Sequence, residues 1–170
     1  VLGHPCDMDH LCKSAHEYDV PIVEDATESL GSTFGGRAMG TFGVAGCVSF
    51  NGNKILTTGA GGMLVTNNEQ LASRAKHLTT QAKLDGDEYV HDCVGYNYRL
   101  ANVLAAIGCA QMEQLDEFLA LKSAIASRYR EALGGFAEIE WQESNARAKP
   151  NHWLPTLRLR SSGKQVRDLK

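Results

Sequence analysis

The 170-residue sequence predicts an α/β fold, and two observations predict it. Short apolar runs read as strands: Val20 to Val23, which ends in Glu24-Asp25, Ala45 to Phe50, bounded by Gly43 and Asn51-Gly52, and Gly62 to Thr66. Between and after them come longer stretches whose apolar residues recur every three or four positions, as on one face of a helix. Strands interleaved with helices bury both kinds of apolar face by packing helices against a sheet.

Each element has a local reason. Asp7 can cap a helix over Met8 to Tyr18, with Leu11, Cys12, Ala15 and Tyr18 on one side. Val20 to Val23 then reads as a buried strand that ends in the acidic pair Glu24-Asp25. Residues 31 to 43 carry five glycines and no sustained period, which predicts a loop. Ala45 to Phe50 is a second strand, Thr57 to Gly62 a glycine-rich turn, and Gly62 to Thr66 a third strand. Asn67-x-x-Gln70 has the form of a capping box and opens a helix with Leu71, Ala75 and Leu78 inward. Residues 81 to 99 are polar and irregular. Asn102 can cap the next helix, with Leu104, Ile107, Gly108, Met112, Leu115 and Leu119 along one stripe. Leu121, Ile125, Tyr129 and Leu133 predict a further helix, ended by Gly134-Gly135. Residues 142 to 150 read as a linker, and Trp153 to Leu159 as a strand.

Composition narrows the function. Hydrophobic residues make up 43% and charged residues 22%, ordinary for a globular protein. The net charge of −3, with no basic stripe, argues against a nucleic-acid partner. No apolar run reaches the roughly 18 residues that cross a bilayer, and no basic start leads into a signal peptide. Cys6, Cys12, Cys47, Cys93 and Cys109 are scattered and odd in number, the pattern of reduced thiols in a cytoplasmic protein. The opening Val1-Leu2-Gly3 and the charged close from Gln165 to Lys170 suggest a piece of a longer chain.

The chemistry-bearing residues crowd into Ile22 to Gly62. Asp25 leaves one strand, Lys54 follows another, and glycine loops flank both. Ligands of open α/β sheets bind outside the carboxyl ends of the strands, so one crevice can hold both groups. His4, Cys6, Asp7, Asp9 and His10 look like metal ligands, but Asp7 is better read as a helix cap. Asn151-His152-Trp153-Leu154 reads as the start of a strand rather than a nucleotide-stacking site.

Four ordered motifs make the reading specific. They are Glu24-Asp25-Ala26-Thr27-Glu28-Ser29-Leu30-Gly31, then Ser49-Phe50-Asn51-Gly52-Asn53-Lys54, then Thr57-Thr58-Gly59-Ala60-Gly61-Gly62, and Gly95-Tyr96-Asn97-Tyr98-Arg99-Leu100 with Asn102 after it. In order and spacing they resemble the DegT/DnrJ/StrS family of pyridoxal-phosphate (PLP) sugar aminotransferases, from His4 to about Trp153. Val44 and Ala60 stand where relatives often carry Asp and Glu, a difference that touches the subgroup more than the chemistry.

The resemblance implies the aspartate-aminotransferase-like fold (fold type I). Residues 1–133 are then part of the PLP-binding large domain, and 134–170 the start of a small C-terminal domain. It implies that Lys54 forms the Schiff base with PLP. Asp25 pairs with the pyridinium nitrogen, which keeps the ring an electron sink. Ser49 contacts the phosphate and Glu28 lies beside the ring's phenolic oxygen. Asn97 reaches the phosphate of a neighbouring subunit's cofactor, which implies a homodimer with shared active sites. Arg99 is a candidate for the donor's carboxylate. The implied reaction moves an amino group from an amino acid, L-glutamate, to a nucleotide-linked keto-sugar for surface polysaccharide synthesis. The wording of Thr79 to Lys83, Tyr89 to Asp92 and Gly108 to Gln111 is closest to enzymes acting at C4 of UDP-4-keto-6-deoxy-N-acetylhexosamines. A GDP-perosamine-synthase-type enzyme and a non-catalytic regulatory member are the alternatives. Relatives that dehydrate the sugar carry histidine in place of the lysine, against which Lys54 argues.

Overall fold

The computed structural model describes residues 1–142 and 145–160, so the charged close from Gln165 to Lys170 lies outside the described residues. The chain opens with α1 (Met8–Glu17), whose N-cap is Asp7: its side chain accepts from the His10 backbone N–H. Met8 is buried, whereas Leu11 and Tyr18 of the expected inner face are exposed.

The central sheet has three strands in the order β1 (Val23–Asp25), β4 (Ala45–Ser49), β5 (Gly62–Val65). β1 pairs parallel with β4, with Val23 opposite Ala45 and Asp25 opposite Cys47; β4 pairs antiparallel with β5. The expected apolar strand over Val20 to Val23 is displaced toward its acidic end. Val20 and Val23 are exposed, and the residue that β1 buries is Glu24. The reason is polar. Glu24 accepts from the backbone N–H of Gly40 and of Gly43, both at 2.7 Å, so a buried carboxylate meets two donors of the following loop. Gly46 on β4 lies against the same loop; a Cβ there would sit 2.1 Å from the Gly40 carbonyl oxygen. Only glycine permits that approach.

The stretch 31 to 43 is more ordered than a loop. β2 (Thr33–Phe34) and β3 (Arg37–Ala38) form a hairpin closed by Gly35 and Gly36, whose φ angles are 58° and 81°. A two-residue turn with both φ angles positive favours a glycine pair. β7 (Ala148–Lys149) adds to β2, so part of the expected linker is a strand. Strands two residues long carry no readable alternation, which explains why periodicity overlooked them.

α2 (Glu69–Thr79) is capped one residue later than expected: the Leu71 N–H donates to the Asn68 side chain at 2.9 Å. Leu71, Ala75 and Leu78 are half-buried, as their spacing predicts. The two following helices divide at Glu113-Gln114, giving α3 (Asn102–Met112) and α4 (Leu115–Leu133). Asn102 is the first residue of α3 rather than its cap; Ala101 takes that place without a side-chain bond. On α4 the inward face runs through Leu119, Lys122 and Ala126. Leu121, Ile125 and Tyr129, expected inward, are exposed. After α4, β6 (Ile139–Trp141) pairs antiparallel with β8 (Leu157–Leu159), so the strand expected from Trp153 begins four residues later. No described helix is long and apolar enough to cross a membrane.

Glu24→Ala leaves two loop N–H groups without their acceptor and is expected to cost roughly 2–4 kcal/mol of stability, and Glu24→Gln less. Urea unfolding of both variants beside the wild type measures this.

Candidate functional site

The parallel pairing of β1 with β4 sends both strands to the same edge of the sheet. Asp25 is the last residue of β1 and Ser49 the last of β4. The chain then turns: the Asn51 N–H donates to Ser49 Oγ at 3.3 Å, and the Lys54 N–H donates to the Asn51 carbonyl at 3.0 Å. That turn brings Lys54 back over the strand ends.

Lys54 is well shielded, with 14% of its side chain exposed. Its Nζ lies 4.0 Å from the Glu28 carboxylate and 4.0 Å from the centroid of the Trp153 ring. The other Glu28 oxygen accepts from the Leu2 N–H at 2.5 Å, so the chain's first residues hold it in place.

Asp25 accepts from Thr27 twice, from Oγ1 at 2.7 Å and from the backbone N–H at 3.2 Å. These two bonds, and then the nearby Lys54 charge, hold its carboxyl below the ordinary carboxylate value. Asp25 is therefore ionised throughout the neutral range.

The glycine turn after Lys54 is fastened to the strands and to α3. The Phe50 carbonyl accepts from the Thr58 N–H at 3.0 Å and from Thr57 Oγ1 at 3.1 Å. The Thr57 N–H donates to the Gln111 side chain at 3.2 Å, and a Cβ at Gly108 would meet Thr58 Cγ2 at 3.0 Å. α3 thus presses the turn onto the sheet.

Of the residues singled out in the sequence, Lys54 lies against Glu28 and near Asp25, and Ser49 ends the adjoining strand β4. Asn97 and Arg99 do not join them. Both are exposed, and among the described residues no hydrogen bond or ion pair links either to that group. Asn97 instead bridges to Thr80. A cavity of about 800 Å³ opens elsewhere, lined by Glu140, Trp141, Leu157 and Arg158 among others.

Two residues that the sequence reading placed at the start of a strand, and not in a site, border it. Asn151 is buried, and its Nδ2 donates to the carbonyls of Glu28 and Leu30, both at 2.8 Å. Its Oδ1 accepts from the Trp153 N–H at 2.9 Å. Asn151 thereby clips the segment before β8 onto the loop that carries Glu28. Trp153 is buried and donates from Nε1 to the Asn53 carbonyl at 2.6 Å. A buried asparagine spans the chain between residues far apart in sequence, and nothing in local periodicity signals it. His152 between them is held below its ordinary value, first by burial and then by the charges of Arg130 and His4.

The chain matches the DegT/DnrJ/EryC1/StrS aminotransferase family over residues 1–170 and belongs to it. EpsN of Bacillus subtilis is 44% identical over 159 residues, covering 94% of this chain and 41% of that protein. The GDP-perosamine synthase of Escherichia coli O157:H7 is 38% identical, over 95% of this chain and 44% of that protein. The crystal structure of S. venezuelae DesV in complex with a ketimine intermediate matches with a TM-score of 0.87 and 32% identity, over 96% of this chain and 44% of that chain. The chain thus spans less than half the length of these relatives. The fold-type-I α/β architecture expected from the motifs is the one it has.

Removing the hydroxyl donor with Thr27→Val is expected to move the Asp25 carboxyl titration upward, toward 3.8. A depressed carboxyl contributes its stabilisation above the unfolded value and loses it as pH falls through the lower folded value. Thr27→Val is therefore less stable than the wild type near pH 7, and the two converge as pH falls through the wild type's folded carboxyl value. An NMR titration of the carboxyl measures it.

Proposed function

We propose that the protein carrying this chain transfers an amino group from an amino acid, L-glutamate, to a nucleotide-linked keto-sugar, using pyridoxal 5′-phosphate held by Lys54. The observation that carries this reading is one edge of one sheet holding a shielded lysine amine, an ionised carboxylate and a hydroxyl. The donor set suits the cofactor. An aldehyde needs an amine nucleophile, a protonated ring nitrogen needs an anion, and a phosphate needs hydroxyl and N–H donors.

When bound, the cofactor supplies an electron sink for the bond broken at the amino-acid carbon. The chain's own residues supply the rest. Lys54 Nζ would hold the cofactor through its aldehyde and, when free, would carry a proton to or from the substrate carbon. Asp25, whose carboxyl Thr27 holds below its ordinary value, would keep a proton on the ring nitrogen. Glu28 sets the position of the lysine amine from one side. Ser49 anchors the phosphate. Arg99 is proposed to receive the donor's carboxylate.

For the acceptor, the wording of Thr79 to Lys83 and Tyr89 to Asp92 favours C4 of a UDP-4-keto-6-deoxy-N-acetylhexosamine. A GDP-linked sugar is the second reading, supported by the 38% identity to a GDP-perosamine synthase. Residues 134–170 are proposed to open a small C-terminal domain. The β6–β8 pair, separate from the central sheet, supports this for its described part. The exposure of Asn97 and of Leu121, Ile125 and Tyr129 is compatible with a homodimer that shares its sites.

Full-length gene product mixed with PLP is expected to show an absorbance band near the visible edge that glutamate bleaches and that Lys54→Ala lacks. Restoring the bleached band with UDP- or GDP-linked keto-sugar tells the two acceptors apart. Ser49→Ala is expected to weaken PLP binding about ten-fold or more, the worth of a hydrogen bond to a charged group. No band in the wild type contradicts the proposal.

Mixing inactive Lys54→Ala and Asn97→Ala subunits tests the shared site. One site of a mixed dimer then carries both lesions and the other neither, so activity returns on mixing. Mixed dimers without activity contradict sharing.

A further inference from the structure

Trp153 is far from the four motifs in sequence, yet its ring is the surface on which the Lys54 amine rests. The Nζ-to-centroid distance of 4.0 Å is that of a cation–π contact. Three hydrogen bonds hold Trp153, one from its ring and two at its backbone. Its Nε1 donates to the Asn53 carbonyl at 2.6 Å, one residue before the lysine. Its backbone N–H donates to Asn151 Oδ1 at 2.9 Å. Its carbonyl accepts from Lys122 Nζ of α4 at 2.8 Å. Asn151 in turn grips the carbonyls of Glu28 and Leu30. Trp153 is 6% exposed, so the ring is not free to leave.

A shielded ammonium needs partners on more than one side. Glu28 supplies a carboxylate at 4.0 Å, and the π face supplies the rest. The same clip fixes both, because Asn151 bonds the Glu28 carbonyl and the Trp153 N–H at once.

We propose that Trp153 is a positioning residue for Lys54: its ring face, held by Asn151 and Lys122, receives the lysine's free amine opposite Glu28. The amine is thereby kept beside the strand ends whenever it is not covalently engaged. This inference rests on the reading of Lys54 as the cofactor lysine, but the contact itself can be tested without cofactor.

Two variants separate the ring face from mere packing. Trp153→Phe keeps an aromatic face and loses the Nε1 hydrogen bond. Trp153→Leu keeps apolar volume and loses the face. In cofactor-free full-length protein, acetylation of Lys54 is measured by peptide mass spectrometry against exposed Lys76. The ratio is expected to rise about five-fold in Trp153→Leu, within the range a cation–π contact carries, and to change little in Trp153→Phe. An unchanged ratio in a folded Trp153→Leu, or equal rises in both variants, overturns the proposal.

A second measurement leaves Trp153 in place and so does not depend on Trp153→Leu folding. The indole Nε1–H resonance, assigned by its loss in Trp153→Phe, is expected to shift in Lys54→Met, and an unmoved resonance overturns the contact. Spectra with PLP keep the two claims distinct. No Lys54-dependent band removes the cofactor reading alone, whereas a normal band with unmoved labelling and resonance removes the Trp153 role alone.

Discussion

The site depends on how one buried charge is met. Glu24 occupies the middle of a three-residue strand, and its carboxylate takes the N–H groups of Gly40 and Gly43. An unpaired buried carboxylate is costly, so the loop has to close on it. Closing the loop seats it over Gly46 of β4, where only a glycine allows the approach. The parallel β1–β4 pair that results has a single carboxyl edge. Alternation along β1 then does the rest: with Glu24 turned inward, Asp25 at the next position faces out at that edge.

From there the site is assembled by short-range connections. Thr27 donates twice to Asp25, two residues away, and lowers its carboxyl titration. The turn after Ser49 brings Lys54 over the strand ends, and α3 presses the following glycine turn onto the sheet through Gln111 and Gly108. Connections distant in sequence complete it: Asn151 fastens the segment before β8 to the loop bearing Glu28, and Trp153 Nε1 donates to the Asn53 carbonyl. Lys54 thus sits between a group delivered by the acidic motif and a ring delivered by residues about a hundred positions later.

Much of this was legible in the sequence. The Asp7 cap, the strands β4 and β5 and the apolar face of α2 follow from capping chemistry and periodicity. The grouping of Asp25, Glu28, Ser49 and Lys54 follows from motif order, because all four lie in one stretch that crosses the sheet twice. What escaped has physical reasons. β1 was displaced because a polar residue, not the valines, carries its burial. The β2–β3–β7 ribbon is too short to show a period. The inward face of α4 passes through Lys122 and Ala126, less apolar than the Leu121-Ile125-Tyr129 stripe that periodicity selects. Asn151 and Trp153 read as the start of a strand, and their place beside Glu28 and Lys54 escaped because those partners are distant in sequence and a buried polar clip has no local signature.

The central claim is that the amine at this edge is the one that binds the cofactor. Its most direct test is to incubate the full-length gene product with PLP, reduce with borohydride, digest, and locate the modified lysine by mass spectrometry. The account predicts the pyridoxyl group on Lys54 and on no other lysine of this chain. A label on another lysine, or no label at all, would contradict it.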